Sequence, residues 1–202
     1  MTAARTVPIP SRYISWYVLA ACAVSVATDL IMATVMNRKS LLTSTISDLA
    51  AGDYDIAQDI GLCLVAIAIT LTGLTVLRTG KGGWKTISST LLFGIAGPVI
   101  VFISLYEAYS KTNPEGPLLH YWAVGFIGLA ISIALGLLAW RRSDAHPVFR
   151  WGTALAALIF LAAGAATFGV SNQIIGLVER FAAVSLVLWL LSFHGSQLLQ
   201  EN

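Results

Sequence analysis

The sequence predicts an all-α integral membrane protein, a polytopic bundle of six transmembrane helices with both termini cytoplasmic. Three observations carry that expectation. Hydrophobic residues make up 57% of the 202 positions and charged residues only 11%, far from the balance of a soluble domain. The apolar residues gather into runs long enough to cross a hydrocarbon layer about 30 Å thick, which takes roughly 20 residues. The runs are joined by short polar stretches rich in turn formers, such as "RTGKGG" at 78–83, "KTNPEGP" at 111–117 and "RRSDAHP" at 141–147.

In chain order the expected spans are Tyr13–Met36, Ile56–Leu77, Thr86–Tyr109, Leu118–Trp140, Phe149–Ser171 and Ile174–Leu198. The first contains "AACA" at 20–23, loosely like a signal-peptide cleavage site, but the chain stays apolar well past it, which suits a retained helix. The second opens with Asp55 and Asp59 at i, i+4, where carboxylates complement a helix N-terminus. In the third, Gly94, Gly97 and Pro98 of "FGIAGP" predict a kink or a close-packing point.

Gly125 and Gly128 suit the fourth span to tight helix contacts, as does an Ala- and Gly-rich face in the fifth. Trp122, Trp140, Trp151, Tyr109 and Tyr121 fall at span ends, as aromatic belts do. No linker is long enough to divide the chain, so residues 1–202 are expected to form a single domain.

Orientation follows from the basic residues. With the N-terminus inside, the inner side holds Arg5, Arg12, Arg78, Lys81, Lys85, Arg141, Arg142 and Arg150, and the outer side holds Arg38, Lys39, Lys111 and Arg180. Eight against four favours a multi-pass protein of the cell (inner) membrane with both ends in the cytoplasm.

Several chemistries are excluded. A net charge of +2 with no basic stripe argues against a nucleic-acid partner. Cys22 and Cys63 lie inside apolar runs and read as buried free thiols. His120 falls on the outer side and His146 and His194 on the inner side, solvated or snorkelling, so three histidines cannot share a zinc ion.

Asp53-x-Asp55 lacks the glycine and closing glutamate of a calcium loop, so no metal is expected. There is no P-loop or dinucleotide fingerprint, and no cofactor is expected. Lys81 and Lys85 lie in a loop, which leaves no mid-span lysine for a retinal-type Schiff base.

The acidic residues are unevenly placed. "TSTISDLAAGDYDIAQDIG" at 43–61 holds Asp48, Asp53, Asp55 and Asp59, four of the ten acidic residues of the chain. In the predicted topology Asp59, Glu107, His120, Glu179 and Arg180 all sit toward the outer face, and Asp29 lies about 10 Å below it by the helical rise. Ionisable groups within spans face the bundle interior, pair with one another and mark function.

Arg180 therefore needs a carboxylate, for which Asp29, Asp59, Glu107 and Glu179 compete. The excess of negative charge would be relieved by proton uptake or by recruiting a cation. Asp29, Asp59 and Glu107 are thus candidate acid/base groups, and Ser47, Asp48, His120, Glu179 and Arg180 candidate substrate-binding groups. Each has a plainer reading: Asp55 and Asp59 cap a helix, Asp48 organises a turn, and Glu107 and His120 are ordinary interface residues.

Three stretches resemble a prokaryotic membrane family known as domain of unknown function 998. "STISDLAAGDYDIAQDIGLCLVAIAITLTG" is similar to its Ser-acidic-Leu motif after the first span, "PEGPLLHYWAVGFIGLA" to the His-bearing start of its fourth span, and "GLVERFAAVSLVLW" to a Gly-Leu-x-x-Arg opening of its sixth. The resemblance singles out Ser47, Asp48, His120, Arg180 and Trp189, and implies six helices without an agreed activity. It departs near the "PEGP" turn, where Glu107 and Glu115 stand in place of an expected aspartate.

Two function classes follow. In the first, an acidic outer-face pocket binds an amphiphilic, isoprenoid or lipid-like substrate, with acid–base catalysis such as a cyclisation as one version. In the second, the same carboxylates serve a small proton- or cation-coupled carrier, or the chain is a structural subunit of a membrane complex. Membrane lipids, the amphiphile, and a homo-oligomer or complex partner are the expected partners.

Overall fold

The computed structural model describes residues 11–36, 40–49, 55–79, 83–105, 116–141 and 147–200. The protein is all-helical over these residues. Six long helices alternate with the loops: α1 (Ser11–Ile31), α3 (Asp55–Thr79), α4 (Trp84–Leu105), α5 (Gly116–Arg141), α6 (Pro147–Ala166) and α7 (Ile175–Gln200). All six are long and apolar enough to cross a membrane. A one-turn helix, α2 (Ile46–Leu49), lies in the connection between α1 and α3.

Each long helix packs on the next, and α7 returns to α1, so the spans close into a ring. Close approach depends on small residues, as expected where lipid supplies no hydrophobic drive between helices. A Cβ at Gly61 would strike Thr28 Oγ1 of α1, and one at Gly97 would strike Thr70 Oγ1 and the Ala66 carbonyl of α3. At the next α3–α4 crossing, Thr90 Oγ1 donates to the Gly73 carbonyl at 3.1 Å.

Gly97 thus packs closely, as "FGIAGP" predicts. Gly128 does not: a Cβ there would meet nothing within 4 Å. The glycine of the expected tight contact instead opens space inside the ring.

The ring is solid at one end and hollow at the other. In the solid end, Trp189 stacks between Phe93 (5.8 Å, 18°) and Phe193 (5.3 Å, 15°) and donates from Nε1 to Thr153 Oγ1 at 3.0 Å. Beside this stack His194 is fully buried, with Nδ1 3.1 Å from Ser15 Oγ and Nε2 3.0 Å from Thr72 Oγ1. The expectation of a solvated or snorkelling His194 fails because two hydroxyls on neighbouring helices replace the water it would otherwise need.

The span ends are marked by aromatics, with Trp84, Trp122, Trp140 and Trp151 all exposed. Lys85 is part of the first turn of α4 rather than a loop residue, and its Nζ lies 3.6 Å from the Trp140 ring centroid. Cys22 and Cys63 are free thiols.

Two boundaries differ from the sequence expectation. The first span ends in a π-helical stretch, Met32–Met36. The fifth stops at Ala166 instead of Ser171, because Thr167 Oγ1 turns back onto the Gly164 carbonyl at 2.6 Å and Phe168 swings toward Tyr121.

Candidate functional site

The hollow end is organised by the connection that carries α2. Its start is a reciprocal cap: Thr45 N–H donates to Asp48 Oδ2 at 2.9 Å, and Asp48 N–H donates to Thr45 Oγ1 at 3.0 Å. This is a capping box with aspartate in the third helical position, and it satisfies donors that a one-turn helix cannot satisfy itself. Leu49 anchors the other end, buried against Met32 and Ala33 of the π-helical stretch.

The opening turn of α7 grips this connection. Leu177 N–H donates to the Leu42 carbonyl at 3.1 Å, and Glu179 Oε2 accepts from Ile46 N–H at 2.7 Å. Gly176 is required here, since a Cβ would collide with the Ser44 carbonyl.

Arg180 completes the grip. Its Nε and Nη2 donate to the two oxygens of Asp29 at 2.8 and 2.9 Å, with both side chains close to nine-tenths buried (11% and 13% exposed). Its Nη1 shares its hydrogens among the carbonyls of Leu41, Ser44 and Gly176. Of the carboxylates competing for Arg180, Asp29 takes it, and the guanidinium fork is spent on α1 and on the α2 connection.

Two volumes adjoin at this junction. The first, about 350 Å³, has a mixed wall: Thr45, Ser47 and Asp48 of the α2 connection, His120 of α5, Asn172 of the α6–α7 turn and Glu179 of α7 supply its polar side, and Tyr121, Val124, Phe168 and Ile175 its apolar side. Asp48 and His120 are within electrostatic reach of each other across it. The second, about 270 Å³, is largely apolar, fills the centre of the ring and is lined from all six spans.

Along α3 its wall runs through Gln58, Leu62, Val65 and Ile69, a length of about 16 Å at the helical rise. Gly128 and Gly164 both line it and leave it wide. Val124, Thr167 and Glu179 belong to both walls.

Of the sequence candidates, Ser47, Asp48, His120 and Glu179 therefore come together around the polar volume, and Asp29, Glu179 and Arg180 around the mouth of the central one. Asp59, half-buried one position past Gln58, lines neither volume. Glu107, Asp53 and His146 lie outside the described residues. Among the described residues no three His, Cys, Asp or Glu side chains converge as a metal site.

Gln58 had no place among the candidates, yet it is 1% exposed in the wall of the central cavity. Its signal was available in the sequence: with Leu62, Val65 and Ile69 it heads a stripe at helical spacing, so it shares their inward face.

A ring of six membrane-length helices, hollow at one end and closed there by an Arg–Asp clamp, defines a multi-pass helical membrane protein with an internal cavity. The chain belongs to the family described as protein of unknown function, domain of unknown function 998, whose model matches residues 19–194. No curated protein and no solved structure matches the chain.

Proposed function

We propose that this protein binds an amphiphile, lipid-like or isoprenoid-like, with its polar head in the α2-capped pocket and its apolar tail in the central cavity. The observation that carries this reading is the shared wall of the two volumes. Val124, Thr167 and Glu179 border both a hydroxyl- and carboxyl-lined space and an apolar one. Adjoining polar and apolar volumes of this size match a molecule with one end of each kind.

From the bias of lysine and arginine we further propose that the head pocket faces the outer side of the cell membrane, with both termini in the cytoplasm. The amphiphile then enters from the outer leaflet.

Among the acidic groups Glu179 reaches both volumes. Any proton transfer to a bound molecule is assigned to it, because Asp29 has both oxygens fixed on Arg180.

The test is crosslinking by a long-chain probe that carries a photoreactive group near the tail end. Labelling should fall on cavity residues of α5 and α7, such as Ile131 and Leu186. Labelling confined to outward-facing side chains such as Leu129 and Leu188 would refute the assignment.

A further inference from the structure

Resting on the amphiphile reading, we infer that the ligand is a two-chain lipid of the bilayer, taken from the side: one chain passes between α1 and α7 into the central cavity, and the other stays outside in the leaflet. The inference starts from where the cavity wall meets its surroundings. The cavity is not enclosed. Three residues of its wall are exposed, Val26 and Leu30 of α1 and Val184 of α7, and the rest of the wall is buried or half-buried. The exposed wall therefore belongs to one seam of the ring, where its first and last members meet. Both helices are apolar enough to cross a membrane, so what lies outside that seam is hydrocarbon.

Two contacts pin the seam and set the level of the opening. Asp29 pairs with Arg180 at the hollow end, and Ser15 Oγ meets His194 Nδ1 at the solid end. The two helices thus run antiparallel, and the pins stand fourteen positions apart on each, roughly 21 Å at the helical rise. Val26 lies one turn inward of Asp29, and Val184 one turn inward of Arg180. The two valines therefore stand at one level on either side of the seam, directly below the clamp. An alkyl chain crosses at that level without desolvating a polar group, as it could not at the clamp itself.

Size decides how much of a lipid goes in. The cavity holds about 270 Å³, at the small end of the roughly 300–1,000 Å³ of sites for drug-sized ligands. Its wall on α3, from Gln58 to Ile69, runs about 16 Å, close to the roughly 15 Å of hydrocarbon in one leaflet. That is room for one chain at full leaflet depth and not for a whole lipid. An opening toward the bilayer leaves the second chain in hydrocarbon, where a sealed cavity would have no place for it. The head group keeps to the α2-capped pocket, since Glu179, next to Arg180 of the clamp, borders both volumes.

The experiment compares two probes with the same glycerol head, monoacylglycerol and diacylglycerol, each with a diazirine at the end of one chain. The full chain is reconstituted in vesicles of zwitterionic lipid that contain one probe, and adducts are mapped after irradiation. Diacylglycerol should label Ile131, which is 0% exposed and lines the cavity. Labelling by monoacylglycerol alone would overturn the inference and leave the amphiphile reading standing. If neither probe labels Ile131, the inference and the amphiphile reading fall together.

Two variants locate the opening. Val184→Trp and Val26→Trp each place a bulky side chain in it from one helix, and labelling of Ile131 should fall on the order of ten-fold. Leu188→Trp, one turn along α7 at an exposed position outside the cavity wall, should label as wild type does. Labelling of the outward-facing Leu129 should be the same in all four proteins and so reports an intact bundle. Wild-type labelling of Ile131 in both Val184→Trp and Val26→Trp would put the opening elsewhere and overturn the inference.

Discussion

Arg180 and Asp29, 151 positions apart in the chain, meet as a bidentate pair at 2.8 and 2.9 Å where α7 crosses α1. The contact closes the ring of spans, because α1 and α7 are its first and last members. It also fixes the α2 connection, since the same guanidinium binds the carbonyls of Leu41 and Ser44. One side chain thus holds both the closure of the bundle and the roof of its hollow end.

Breaking such a pair on one side leaves a charge uncompensated in a poorly solvated place. Arg180→Ala is expected to cost about 3–5 kcal/mol. Arg180→Lys recovers only part of that, because an ammonium cannot reproduce the fork. Thermal unfolding of the purified variants checks this, and the double variant Asp29→Ala/Arg180→Ala should lose less than the sum of the single variants.

Gly176→Ala places a methyl group against the Ser44 carbonyl and so pushes the α2 connection off α7. Overpacking of this kind costs about 1–3 kcal/mol. Limited proteolysis provides the local readout: cleavage within residues 40–49 should become faster in Gly176→Ala than in wild type.

Thr45→Ala removes the side-chain half of the capping box and should cost about 1 kcal/mol. Thr45→Ser keeps the hydroxyl that accepts from Asp48 N–H, so it should lie close to wild type. Their difference in unfolding midpoint measures the cap free of changes elsewhere.

At the solid end, His194→Leu leaves the buried hydroxyls of Ser15 and Thr72 without their imidazole partner. The expected loss is about 2–3 kcal/mol. His194 does not line the central cavity, so the amount of bound amphiphile per folded molecule should not change, whereas a functional role for the ring would lower it.

Much of this arrangement is legible in the sequence, and the physics says which part. Span number and approximate limits follow from bilayer thickness and apolar run length, which tolerate little ambiguity. Asp29 and Arg180 stand out because a charge within a span has to find a partner facing inward. The choice of Asp29 over Asp59 and Glu179 depends on which helices are neighbours, and no one-dimensional pattern fixes that.

Other features hide for local reasons. α2 is a single turn whose one signal is Thr45-x-x-Asp48, easily read as a loop turn. Gln58 is uncharged and sits beside Asp59, which draws the attention. Gly128 shows the limit of residue type alone, since a glycine in a span permits a close contact or a void, and only the opposite wall decides between them.

The central claim is that the hollow end of the ring is a site for an amphiphile, and native mass spectrometry of gently purified wild type beside Gly128→Leu tests it most directly. The leucine grows into open space from a position that lines the cavity, so the fold should hold. The account predicts a small molecule that travels with wild type and is absent from the variant, while the variant still purifies as a folded protein with a cooperative unfolding transition. Equal occupancy in the two proteins, or wild type carrying nothing even when extracted with its native lipids, would contradict it.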